Sequence, residues 1–296
     1  MHRVSLIAVV SACCAGVFVP LTAAQPQGAA LLSRIHAYVE RFQRELPSIV
    51  AEEHYVQVVT NTNSRSADSL ESGRTDGPPS SRRVLRSDVL MITVPDTSGW
   101  VLFRDVFEVN GQRVRDREDR LLELLRSPHA DAMTQARRLA AESTRYNVGR
   151  VQRTTNLPDS VLPYLKASSA PRMKFETPRA IAPIDGAETV VIRFRETGRP
   201  TIATSMRGSN LPASGQVWTH TATGAIVKTE FKLSDMSTDG VITVDFAFDQ
   251  TSGLRLPAKM IERYVSPNED VRATAQYSNV RRFNVSTNEA LRKPPG

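Results

Sequence analysis

The sequence predicts an α+β protein built mainly from antiparallel sheet, and three observations carry that prediction. Apolar and polar residues alternate along successive runs from Ala225 to Val285, turn-forming pairs separate the runs, and helical spacing is confined to a few segments upstream. A period of two gives each strand one wet face and one covered face. Val227, Phe231 and Leu233 alternate with Lys228, Glu230 and Lys232, while Ile242, Val244, Phe246 and Phe248 oppose Asp245 and Asp249. Leu254, Leu256, Met260 and Tyr264 form a third set, and Val271, Ala273, Ala275, Tyr277, Phe283 and Val285 a fourth. Thr223-Gly224, Asp239-Gly240, Ser252-Gly253 and Ser266-Pro267-Asn268 suit tight reversals, so these strands follow one another as a meander.

The 296 residues, 40% of them hydrophobic, are enough to bury a substantial core in one domain. Arg3 precedes an apolar run from Val4 to Val19, and Thr22-Ala23-Ala24 supplies small residues before Gln25. This is the pattern of a cleavable secretory signal over residues 1–24, and it predicts a periplasmic or secreted protein. Both cysteines, Cys13 and Cys14, fall inside that segment, leaving residues 25–296 without a thiol for a disulfide, a metal or a nucleophile. Val10-Ser11-Ala12-Cys13 has the form of a lipobox. The apolar run before Cys13 is short and continues past it, which argues against a lipid anchor at Cys13.

Within the single domain 25–296, Leu31, Leu32, Ile35, Tyr38, Val39, Phe42 and Leu46 lie on one face of a helix from Ala29 to Leu46. A strand follows from Glu53 to Thr60. The stretch 61–83 is dominated by Ser, Thr, Asn, Asp, Gly, Pro and Arg and predicts a flexible loop. Strands resume over Val84–Val94 and Gly99–Val109, with Val89 to Ile92 apolar enough to be covered on both faces. Asn110-Gly111 marks a hairpin with a short return strand from Gln112 to Val114. A helical insertion is predicted at about 116–166, from the leucines at 121, 122, 124 and 125, the Ala- and Arg-rich run from Ala130 to Tyr146, and Pro158 opening a short helix to Leu165. A Pro-rich connection from Lys166 to Gly186, a strand from Thr189 to Phe194 and a loop from Gly198 to Ser214 complete the chain.

The formal net charge of +7 is spread over scattered Arg pairs, with no basic stripe interleaved with aromatics. That argues against nucleic acid and leaves an anionic membrane surface open as a partner. His36, His54, His129 and His220 show no metal-ligand spacing. Glu52-Glu53-His54 puts neighbouring side chains on opposite faces of a strand, and Asp235 to Gly240 would place Phe246 where a calcium loop needs a bidentate Glu. No G-x-S-x-G elbow, S-x-x-K pair or phosphate-cradling glycine loop occurs. The reading is therefore of a protein that is not an enzyme and carries no cofactor, with a hydrolase of unrecognised constellation as the lesser alternative.

The hairpin Gly215-x-Val217-Trp218 followed by Thr223-Gly224, with Gly253-Leu254-x-Leu256-Pro257 further on, resembles the periplasmic lipoprotein-carrier superfamily of the LolA and LolB type. The resemblance is clearest over Gly215 to Val285, and Thr219-His220 stand where that group has Ile-Asp. It implies a large curved antiparallel sheet, an open half-barrel, with helices covering the concave face and a lipid, acyl chain or other apolar small molecule held between them. On that reading Trp218, Phe231, Phe246, Phe248, Tyr264 and Tyr277 line the ligand cavity. The pattern alone serves equally for a non-catalytic interaction or scaffold protein whose core is filled. A loop from Thr221 to Gly224 would pair Trp218 with Val227 and turn it to the covered side.

Overall fold

The computed structural model describes residues 24–46, 49–62, 80–93, 100–114, 138, 141–151, 153, 156–205, 208–235 and 237–282. The expected signal up to residue 23 with Cys13, most of the expected loop, the first part of the expected insertion, and Phe283 and Val285 lie outside the described residues.

Helix α1 (Ala24–Glu45) is followed by β1 (Ile49–Asn61), β2 (Ser80–Thr93), β3 (Trp100–Val109) and β4 (Gln112–Arg113). After a segment with short 3₁₀ turns come β5 (Met173–Phe175), β6 (Arg179–Ile184), β7 (Ala187–Glu196), β8 (Ala203–Thr204) and β9 (Asn210–Leu211). The meander is β10 (Ala213–His220), β11 (Ile226–Ser234), β12 (Asp239–Asp249), β13 (Leu254–Val265) and β14 (Glu269–Arg282). Among the described residues twelve strands make one open antiparallel sheet in the order β4-β3-β2-β1-β14-β13-β12-β11-β10-β7-β5, with β6 also on β7, and β8 and β9 pair separately. The mostly antiparallel sheet is as the alternation predicts. The pairing of β1 with β14, from opposite ends of the chain, joins the early hairpin to the meander.

Asn110 and Gly111 turn the β3–β4 hairpin with φ of 51° and 83°, as the dipeptide predicts. The same chemistry recurs at Asp185 and Gly186, with φ of 51° and 73°, where they turn β6 into β7. The stretch from Lys166 to Gly186 is thus not a plain connection: its prolines leave room for two short strands on β7. Of the expected insertion, residues 141–146 are helical, and Pro158 opens a turn followed by one 3₁₀ turn at Leu162–Leu165.

Leu31, Ile35, Val39 and Phe42 of α1, with Leu46 just after it, are buried in one core with the inward residues of the sheet, as their spacing predicts. Phe42 meets Phe246 edge to face at 6.5 Å, and the Tyr38 hydroxyl accepts a hydrogen bond from the Arg255 amide at 3.1 Å. Tyr164 fills the next part of the same face, 5.2 Å from Phe231 and 6.1 Å from Phe194 between ring centroids.

The β10–β11 hairpin corrects one expectation. The loop does span Thr221–Gly224, with the Gly224 amide bonded to the His220 carbonyl at 2.9 Å and the His220 amide to the Ala225 carbonyl at 3.0 Å. Thr219 therefore pairs with Ile226, but the next pair is Trp218 with Lys228, so Val227 is an extra residue in the ladder. This bulge lets Ile226 and Val227 both be buried and shifts the register by one. Trp218 consequently stands on the wet face, with the Lys228 ammonium 5.5 Å from its ring centroid.

Candidate functional site

A strand buried on one face normally sets apolar residues there, but the inward positions of β1 are Glu53, Tyr55 and Gln57, all at 0% exposure. They share a face because successive Cβ atoms alternate. Arg104 reaches them from β3, Glu262 and Tyr264 from β13, and Tyr277 from β14. Arg153 and Asn156, on the chain between β4 and β5, close over the top and are themselves buried.

Arg104 grips Glu53 through two nitrogens, one at 2.8 Å from Oε1 and the other on Oε2. It also donates to the Asn156 carbonyl at 3.2 Å and lies 4.4 Å from the centroid of the Tyr55 ring. The Tyr277 hydroxyl donates to Glu53 Oε1 at 3.0 Å. Arg153 donates to the Tyr55 hydroxyl at 3.0 Å, to Gln57 Oε1 and to the Val148 carbonyl at 3.1 Å. Gln57 ties the overlying chain down further, donating to the Tyr146 carbonyl at 3.0 Å and accepting from the Val148 amide at 3.2 Å. Two guanidinium groups thus face two carboxyl groups away from water, the arrangement that makes buried charge tolerable.

Glu262 is the least satisfied member. Its Oε2 is 3.8 Å from Arg153, too far for a hydrogen bond, and within the described residues neither carboxyl oxygen makes one. Burial pushes this carboxyl above its usual value near 4.5, although Arg153 and then Arg104 pull it back. Burial likewise holds the Tyr55, Tyr264 and Tyr277 hydroxyls above their usual range, so all three stay protonated at neutral pH. A folded-state value above the unfolded one means that the folded protein prefers the proton. That contribution to stability is full below about pH 4.5 and fades as pH rises through the folded-state value. Glu262→Gln, which mimics the protonated form, is expected to gain stability relative to the native protein as pH rises from 4 to 8. Urea unfolding of both at several pH values checks this, and a gap independent of pH would mean that Glu262 ionises normally.

Beside this network an apolar crevice separates the end of α1 from the sheet, lined by Phe42, Leu46, Ile49, Met91, Leu102 and Leu256, with Pro158 and Tyr277 at its margin. Its volume is about 30 Å³, space for roughly two waters. Tyr277 belongs to both features, since its ring borders the crevice and its hydroxyl holds Glu53. Among the described residues no group of three His, Cys, Asp or Glu side chains could hold a metal ion.

Of the aromatic residues expected at a ligand site, Phe231, Phe246 and Tyr264 are buried in the common core and Tyr277 borders the crevice. Trp218 lies on the other face of the sheet. Phe248 keeps the parity of Phe246 but is 59% exposed, because alternation sets the side of a strand and not how far its cover extends. Glu53, Gln57, Arg104, Arg153 and Glu262 were not expected. A signal for one of them is present: Glu262 sits at even spacing between Met260 and Tyr264, so the parity that buries those two buries it as well.

No protein-family model matches the chain, and no curated protein matches it. Five chains among the solved structures match it, and one of the five is similar over most of its length. It is a domain from Vibrio parahaemolyticus provisionally described as an outer membrane lipoprotein-sorting protein domain, 13% identical, with a TM-score of 0.38 over 89% of this chain and 95% of that one.

Proposed function

We propose that this is an exported envelope protein, not an enzyme, that takes an apolar group such as the acyl chain of a lipid between α1 and the covered face of its sheet. The observation behind this reading is the crevice, where a sheet face and an amphipathic helix present Phe42, Leu46, Ile49, Met91 and Leu102 to one another without closing completely. Apolar walls of this kind make up most of the lining of ligand sites in proteins. In this reading the covered face is the concave one, α1 is its lid, and the end of α1 draws back to admit the ligand. Export rests on the signal pattern of the first 24 residues.

A second reading, an interaction protein with a filled core, is favoured by the volume of about 30 Å³, far below the hundreds of cubic ångströms of an ordinary ligand pocket. Organic extraction and mass spectrometry of protein purified without detergent distinguish the two. The carrier reading expects a stoichiometric lipid, lost in Leu102→Trp, whose indole would fill the crevice. No lipid in the native protein, together with no uptake of a fluorescent fatty acid, would establish the filled core.

A further inference from the structure

The opposite face of the sheet carries a feature that the linear sequence disperses. Register places Lys174 beside Arg195, Arg195 beside Ser214, and Ser214 beside Lys232. The row continues through Val241 to Arg263, then Arg272, Val58 and Arg82. Directly paired residues of an antiparallel ladder share a face, so these six cations form one line across the strands, and all six are exposed. At the usual strand spacing the line is roughly 40 Å long.

Part of this charge is answered locally. Asp270 lies between Arg263 and Arg272, 3.0 and 2.9 Å from them, and Glu230 is 3.0 Å from Lys232. Lys174, Arg195 and Arg82 have no carboxylate partner among the described residues, so the line keeps a strong positive balance. At the β5 end, Lys174, Arg193, Arg195 and Lys232 surround an open recess of about 450 Å³ floored by Ser214 and Gln216 and flanked by Glu176 and Glu230. Ile261 and Val265, 43% and 37% exposed, flank Arg263 along β13 on the same face. Exposed cations interspersed with aliphatic side chains suit the boundary between head groups and acyl chains. Single-stranded nucleic acid would instead call for stacking aromatics along the row.

We propose that this wet face docks on an anionic phospholipid bilayer, with the row of cations against the head groups and one phosphate-bearing head group in the recess between Lys174 and Lys232. The proposal is independent of whether the crevice on the other face takes a ligand. Each Lys or Arg at an anionic surface contributes about a fivefold gain in partitioning, and the attraction is screened by salt.

The test is sedimentation of the exported full chain with vesicles of phosphatidylglycerol and phosphatidylcholine in equal parts, and with vesicles of phosphatidylcholine alone. Binding is expected to the mixed vesicles only, weakening as salt is raised. Lys174→Glu with Arg195→Glu, both exposed, should lower it by roughly 25-fold or more while leaving the thermal unfolding midpoint in place. Arg41→Glu with Arg44→Glu on α1, the same change in net charge on the other side of the sheet, should lower it far less. Equal losses in the two double variants, equal binding to both vesicle types, or binding to soluble polyphosphate without binding to vesicles would each overturn the proposal.

Discussion

Arg104→Met is expected to lower the unfolding free energy by about 3–5 kcal/mol, read from the urea midpoint at unchanged slope. The substitution keeps most of the side-chain volume and removes only the charge and the donors. Glu53, at 0% exposure, would then keep the Tyr277 hydroxyl as a neutral donor and lose both nitrogens that grip it. The cost comes from stranding a carboxylate without its counter-charge, not from the strength of the pair itself. The double variant Arg104→Met with Glu53→Gln should therefore recover much of the loss, since no uncompensated charge remains. A single variant costing less than about 1 kcal/mol would mean that water reaches Glu53 and that the network is not sealed.

The second large effect is expected at Gly224, in the loop of the β10–β11 hairpin. Its φ is 71°, and a Cβ there would lie 2.4 Å from the Arg34 carbonyl carbon and 2.6 Å from the Ile35 amide nitrogen. Those atoms are backbone of α1, which cannot swing aside as a side chain could. Arg34 also donates from Nη1 to the Thr221 carbonyl at 3.0 Å, so the hairpin loop is the helix's seat. Gly224→Ala should cost about 2–4 kcal/mol, part from the left-handed backbone and part from lifting α1 off the sheet. Gly186→Ala is the matched control: its φ is 73° and nothing lies within 4 Å of the added carbon, so only the backbone cost of about 1 kcal/mol is expected. Thermal unfolding of the two variants separates the terms, and equal costs would mean that the helix yields freely.

The candidate site shows where reading the sequence by face succeeds and where it stops. Alternation identified the covered face of β12 and β13, and that rule, carried through position 262, buries Glu262. A carboxylate is ordinarily a surface group, and only the presence of Arg153 nearby makes its burial tolerable. Arg153 belongs to a segment with no strong period, between β4 and β5, so its partner could not be named before the chain was folded. Glu53, Tyr55 and Gln57 carry no local signal of burial, because their cover comes from elsewhere in the chain. The basic row across the wet face is the same lesson on the other side. Its members lie between positions 82 and 272 and become neighbours only through register.

Local chemistry settled the type and order of the main elements. The period of two, the Asn110-Gly111 turn and the 3.6-residue stripe of α1 depend on residues close together in the chain, and each stands in the structure as read. Trp218 marks the limit. The loop Thr221–Gly224 has the expected length, yet one extra residue, Val227, reverses the side that Trp218 faces. The bulge buries both Ile226 and Val227, and burial of both depends on cover from distant parts of the chain, a long-range energy that no run of neighbouring residues contains. Tertiary structure alone also decided the joining of β1 to β14, the sealing of the polar network, and the width of the crevice. Each depends on segments far apart in sequence meeting at contact distance.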